Sequence, residues 1–251
     1  MAETVRIAVC IPRYGDTKGE FTISLARMIA HTMSAEVTSP SGKIRFEMEI
    51  FSTSSSDLPG NRERLLKRAI EWRADFLLWL DADHVFPPGS LLRLLRHGLP
   101  VVGANYARRG QPTGPVSVRI GDDGAMEHVW TTAELAQKGA VEEVAHVGLG
   151  LCLVDMRILH QVKAHVETTV GWAQWHPFDR KLFPGTNERM GEDASFFQEL
   201  REAGVKIFVD HGLSWHVGHI AEQILTNADA EAQKEAWLKR SSGTETDHSV
   251  G

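Results

Sequence analysis

Between residues 5 and 104, short apolar β-type runs alternate with stretches of helical spacing, and no other feature constrains the fold as strongly. Residues 5–11 are β-rich and mostly apolar, and Pro12-Arg13-Tyr14-Gly15 closes them, which predicts a buried strand leading into a loop. Phe21, Leu25, Met28 and Ile29 recur at helical spacing, so 21–33 reads as a helix. After a turn at Thr38-Ser39-Pro40-Ser41-Gly42, the alternation of Ile44, Phe46, Met48 and Ile50 predicts a strand. A Ser/Thr-rich loop over 52–56 and Pro59-Gly60 lead to a helix over 61–72, with Leu65, Leu66, Ala69 and Ile70 inward. Residues 76–80 form the next strand, Pro87-Pro88-Gly89-Ser90 starts a helix over 91–97, and 101–104 is a further short strand. Strands separated by helices imply a mostly parallel α/β sheet, in which ligands sit beyond the carboxyl ends of the strands. The loop at Pro12–Gly15 and the end of the 76–80 strand are then neighbours across one crevice.

Further along, 110–139 is richer in Gly, Pro and polar residues and reads as a hairpin or excursion. A strand over 147–154 and a short helix over 156–162 follow. A helix over 191–203 opens with Gly191-Glu192-Asp193 and is capped by Gly204, and a short strand spans 205–209. The expected domain is 1–225, and 226–251 would add a C-terminal helix over 227–240 and a disordered tail. At 251 residues the chain can bury one large core. Cys10 and Cys152 both lie inside apolar runs and read as buried thiols suited to a reducing compartment. The net charge of −6 argues against a protein that coats nucleic acid. The sequence shows no signal peptide, and no apolar run reaches the roughly 18–20 residues of a membrane span, so the expectation is a soluble, cytoplasmic-type protein.

Chemistry concentrates where the 76–80 strand ends in Asp81-Ala82-Asp83. Alternation along an extended chain points the two carboxylates to one side. Carboxylates at the end of a buried strand are costly to desolvate unless a cation meets them, and Mg²⁺ or Mn²⁺ carrying phosphates would do so. The plain alternative is a strand leaving the core through an acidic turn, and a bare D-x-D does not decide between the two.

Several motifs in order add weight. They are Val9-Cys10-Ile11-Pro12-Arg13-Tyr14, Gly60-Asn61-Arg62, Leu80-Asp81-Ala82-Asp83-His84, Val147-Gly148-Leu149-Gly150, Gly191-Glu192-Asp193 and His216-Val217-Gly218. Over roughly residues 5–220 the chain resembles the GT-A class of nucleotide-sugar glycosyltransferases, in particular family 2-like enzymes of bacteria and phages. The resemblance implies a Rossmann-like three-layer α/β/α fold. It also implies a metal-dependent hexosyltransferase activity that moves a sugar from a UDP- or GDP-linked donor to an acceptor hydroxyl. Asp83 would ligate Mn²⁺ or Mg²⁺ directly, Asp81 would reach the ribose or the metal through water, and a late histidine, His216 or His219, would complete the metal shell. Pro12, Arg13, Tyr14, Asn61, Arg62 and Ala82 would lie against the nucleotide. The chain departs from the family at Arg13, where a small polar residue is most common.

Asp193 matches the general base of inverting enzymes of this class, and Glu192 would contact sugar or acceptor. Their plain alternative is a pair of favourable N-terminal helix charges. The basic run Arg62, Arg64, Lys67, Arg68 has the look of a solvated helix face. Arg108-Arg109-Gly110 can meet phosphate or acceptor, or be a solvated loop. Trp172 and Trp175 can stack on a sugar, belong to a lid, or pack under a long loop. A nucleotidyltransferase or sugar-nucleotide pyrophosphorylase is the competing enzyme class, although no lysine-bearing Gly-rich phosphate loop follows the first strand. A non-catalytic nucleotide-sugar module is the competing binding class. The acceptor stays open: a glycan, a lipid-linked glycan, a protein side chain or a modified DNA base each offers a hydroxyl.

Overall fold

The computed structural model describes residues 3–40, 42–182, 187–221 and 224–241. The central strand β1 (Glu3–Arg13) is followed by α1 (Gly19–Ser34), β2 (Val37–Ser39), β3 (Gly42–Ser54) and α2 (Leu58–Glu71). Next come β4 (Phe76–Leu80), β5 (His84–Val85), α3 (Ser90–Arg96), β6 (Val101–Gly103), β7 (Val118–Ile120), β8 (Met126–His128) and α4 (Ala133–Gln137). The chain continues through β9 (Val141–Val144), β10 (Leu151–Asp155), α5 (Ile158–Glu167), α6 (Glu192–Glu202) and β11 (Ile207–Asp210). It closes with α7 (His211–Ser214), β12 (Gly218–Ile220), β13 (Ile224–Leu225), α8 (Asn227–Ala232) and α9 (Lys234–Ser241).

Eight strands form the main sheet in the order β2-β3-β1-β4-β10-β6-β11-β9. β3, β1, β4, β6 and β11 run one way, while β2, β10 and β9 run against them. Period-two alternation divides the buried side chains between two cores. Ala8, Cys10, Leu77, Trp79, Cys152 and Val154 point to one face, where Leu65, Leu66 and Ala69 of α2 and Phe196, Phe197 and Leu200 of α6 cover them. Ile7, Val9, Ile11, Leu78, Leu80 and Leu153 point to the other, beneath Phe21 and Met28 of α1 and Leu91 and Leu94 of α3. Helices on both faces of one sheet give a three-layer α/β arrangement around the mostly parallel sheet that the alternation predicts.

The boundaries differ from expectation for local reasons. β3 runs on to Ser54, and α2 starts at Leu58 because the Asp57 carboxylate accepts the Gly60 N–H at 3.1 Å with Pro59 in the first turn. The strand expected over 147–154 forms only as Leu151–Asp155, antiparallel to its neighbours. Residues 147 and 148 have no regular structure and 149–150 form a turn instead. The 110–139 excursion contains the β7–β8 hairpin and α4. The single helix expected over 227–240 is broken at Gln233 into α8, opened by a Thr226–Asp229 capping box, and α9. The tail expected to be disordered falls, beyond Ser241, outside the described residues. Both cysteines are free and buried, and burial pushes their thiols up. Among the described residues, no helix is long and apolar enough to cross a membrane.

Candidate active site

β1 and β4 are parallel neighbours, with Val9 opposite Leu78 and Cys10 opposite Trp79. Their carboxyl ends therefore emerge side by side. There the chain leaves a cleft of about 580 Å³ lined by Pro12, Arg13, Tyr14, Lys18, Asp81, Ala82, Asp83, Arg109 and His219. This is the crevice that strand order predicts in an α/β sheet.

A small second sheet builds the back of the cleft. β12 lies between β13 and β5, and in the β12–β5 ladder His219 stands directly opposite His84. Directly opposed residues of an antiparallel pair share a face, and the two imidazoles stack with centroids 4.4 Å apart and planes 15° apart. The Asp83 backbone carbonyl accepts the Ile220 N–H at 2.7 Å, which brings its side chain to the same place. Nδ1 of His84 lies 3.0 Å from Oδ1 of Asp83, and Nε2 of His219 lies 3.4 Å from Oδ2. One ligand atom from each of Asp83, His84 and His219 falls within 4.8 Å of the others.

Two further observations fit this trio to a metal. Nε2 of His84 is buried without a hydrogen-bond partner, and Nδ1 of His84 and Oδ1 of Asp83 have no polar neighbour but each other, a costly arrangement in the absence of a cation. His219 Nδ1 stands 2.9 Å from the Ala107 carbonyl, to which it can only donate, so in the neutral ring the lone pair falls on Nε2, which faces Asp83. Without a metal the imidazoles themselves can hold the carboxylate: burial acts to raise the Asp83 carboxyl, but hydrogen bonds and charge from His219 and His84 outweigh it and hold it well below the usual carboxylate range.

Tyr106 walls the trio. Its ring meets His84 edge-on at 4.2 Å, and its hydroxyl accepts the Gly150 N–H at 3.1 Å. A Cβ on Gly150 would stand 2.5 Å from Cε1 of His84, and one on Gly148 would stand 2.3 Å from the Tyr106 hydroxyl. The two glycines of the Val147–Gly150 motif thus leave room for the histidine and the tyrosine. Gly150→Ala is expected to cost about 1–3 kcal/mol through overpacking and to weaken Mn²⁺ binding. Denaturant melts and a calorimetric Mn²⁺ titration check both, and an unchanged variant would contradict this packing.

Below the cleft, Arg62 occupies a position that its basic neighbours disguise. Its guanidinium is fully buried, lies over the Trp79 ring at 5.6 Å, and approaches Asp81 Oδ1 at 3.1 Å and Glu192 Oε1 at 3.8 Å. Asp193 and Asp81 both act on it electrostatically, so Arg62 ties the start of α6 to the end of β4. Burial lowers its pKa, and the three carboxylates raise it by more. Removing a buried cation strands its partners. Arg62→Ala is therefore expected to destabilise the fold by about 3–5 kcal/mol, measured as a lowered urea midpoint; a change within experimental error would show the cluster to be dispensable.

The expected site residues are thus distributed as follows. Pro12 and Arg13 line the cleft; Arg13 is anchored by Ser52 Oγ and the Gly15 carbonyl, both at 3.0 Å. Tyr14 is 82% exposed at the rim. Asn61 is buried and spent on the Ser55 carbonyl and on Arg64, so it does not face the cleft. Arg62 is buried, neither a solvated helix charge nor a cleft residue. Asp81 lines the cleft but pairs with Arg62 and stands outside the metal-type trio. Of the two late histidines, His219 joins Asp83, whereas His216 is exposed beyond α7 and outside the trio. Glu192 is buried, with Arg62 and Arg180 each 3.8 Å away. Asp193 is held by burial above the ordinary aspartate value, against the lowering effect of Arg62. Trp172 and Trp175 stack on each other at 4.6 Å and pack against the core. His84, not expected as a ligand, is the trio's most buried member.

The chain is similar to solved structures to different degrees. A197 from STIV superposes with a TM-score of 0.52 at 18% identity, covering 90% of this chain and 92% of that one. GalNAc-T7, solved with UDP, GalNAc and Mn²⁺, gives a TM-score of 0.46 at 11% identity, covering 86% of this chain and 44% of that one. The first likeness is one of fold, and the second is too loose to carry an argument. No family model matches the chain. No curated protein matches it either.

Proposed function

We propose that the protein is a metal-dependent glycosyltransferase that moves a sugar from a nucleoside-diphosphate donor to an acceptor hydroxyl. The observation that carries this reading is the trio Asp83, His84 and His219, which opens onto a cleft that also holds Arg13, Lys18 and Arg109. A site for one cation among three basic side chains suits a ligand with several phosphate charges. The trio would hold the metal. Two imidazoles and one carboxylate favour Mn²⁺ over Mg²⁺, which prefers an all-oxygen shell. When bound, such an ion supplies Lewis-acid stabilisation to a departing diphosphate.

The chain's own residues supply the rest. Arg13 and Lys18 offer charge to the phosphates, and the exposed Tyr14 ring offers a face to the base. Asp193 takes the acceptor proton as the acceptor oxygen bonds to the anomeric carbon. The bond from that carbon to the phosphate oxygen breaks, and the nucleoside diphosphate leaves with its electron pair. Glu192, fixed between Arg62 and Arg180, lies beside Asp193 to orient sugar or acceptor. An in-line attack of this kind inverts the anomeric centre.

The test is a panel of UDP- and GDP-sugars assayed with Mn²⁺, with and without chelator. Release of nucleoside diphosphate that is lost on chelation and in Asp83→Asn supports the proposal. Release of pyrophosphate would instead indicate nucleotidyl transfer, and donor binding without turnover would indicate a binding module.

A further inference from the structure

One cation already sits at the trio. Nη2 of Arg109 lies 2.9 Å from Asp83 Oδ2, the oxygen that His219 Nε2 also approaches at 3.4 Å. Arg109 differs from the other arginines of the cleft region. Arg62 is buried in a carboxylate cluster, and Arg13 is anchored by Ser52 and Gly15. The Arg109 side chain is 59% exposed, and Asp83 is its one ion-pair partner among the described residues. It lies two residues after Ala107, whose carbonyl positions His219, and directly before Gly110 at φ 128°, so its backbone is set by the site while its half-exposed side chain has open space on one side.

We propose that Arg109 is a displaceable stand-in for the metal: it neutralises Asp83 until a divalent cation takes Oδ2, and is then released to the phosphates of the incoming diphosphate. This rests on the metal reading above. A guanidinium and a divalent ion cannot share one carboxylate oxygen without strong like-charge repulsion. Once displaced, a long half-solvated arginine beside Arg13 and Lys18 is suited to fork onto phosphate oxygens. Metal loading and diphosphate binding would then be coupled through a single side chain, with the metal first.

The coupling predicts effects of opposite sign from one substitution. In calorimetric titrations, Arg109→Gln is expected to bind Mn²⁺ roughly fivefold more tightly, since no contact must be broken. The Mn²⁺-loaded variant should bind UDP or GDP several-fold more weakly than the loaded unaltered protein. Arg108→Gln removes the same charge one residue away without touching Asp83, and is expected to leave Mn²⁺ affinity within about twofold. Failure of either sign in Arg109→Gln, or an equal effect in Arg108→Gln, overturns the role of Arg109 alone. Absence of Mn²⁺ uptake by both the unaltered protein and Arg109→Gln overturns the metal reading together with it.

Discussion

His84→Ala is expected to lower Mn²⁺ affinity by at least about 100-fold, because removal of a direct ligand exceeds the 10–100-fold cost usual for a residue that merely orients one. The imidazole is nearly inaccessible, and its one close polar neighbour is Asp83 Oδ1, 3.0 Å from Nδ1. An apolar replacement therefore removes that contact and the ring packing against His219 and Tyr106. The cavity left by the ring should lower the melting curve modestly, while the loss of Mn²⁺ affinity should be far larger than in His216→Ala. His219→Ala should behave alike, and it also frees the Ala107 carbonyl. His216→Ala should be silent, since that residue is exposed and outside the trio. A strong effect at His216 with none at His84 would contradict the assignment.

Asp193→Asn is expected to reduce kcat by about 10²–10⁴ while donor affinity is retained, the signature of a lost general base. The amide keeps the shape of the side chain at the start of α6 while removing its capacity to take a proton and its charge beside Arg62, whose contacts to Asp81 and Glu192 remain. Burial holds the Asp193 carboxyl above its ordinary value near 4. A base must be ionised to act, so kcat/KM should rise with pH through a limb above that ordinary value, and the limb should vanish in the variant. Donor affinity falling in step with kcat would indicate that Asp193 only holds the N-terminus of α6 in place. Product of retained anomeric configuration would also argue against the base.

The sheet was legible in the sequence because residues 7–11 of β1 and all of β4 are continuous apolar runs, nearly all buried. The metal-type trio was legible only in part. Asp83 ends a strong strand, but His84 and His219 sit on strands of two and three residues, too short for any periodic signal. Their encounter is set by the register of a pairing between residues 135 positions apart, which no local pattern encodes. The histidine immediately after D-x-D was the available hint. Arg62 was hidden in a basic run, yet it shares the inward stripe of α2 with Leu65, Leu66 and Ala69 at spacings of three, four and seven. That phase distinguishes it from the exposed cations beside it. Gly148 and Gly150 looked like strand residues because their role, room for Tyr106 and His84, depends on side chains distant in sequence.

The most direct test of the central claim is a crystal structure of the protein grown with Mn²⁺ and UDP or GDP, with the metal located by its anomalous signal. The account predicts one manganese bonded to Asp83, His84 and His219, with the diphosphate in its open positions and Arg109 turned away from Asp83. A diphosphate bound in the cleft without metal, or a manganese held by Asp81 or His216 instead, would contradict it.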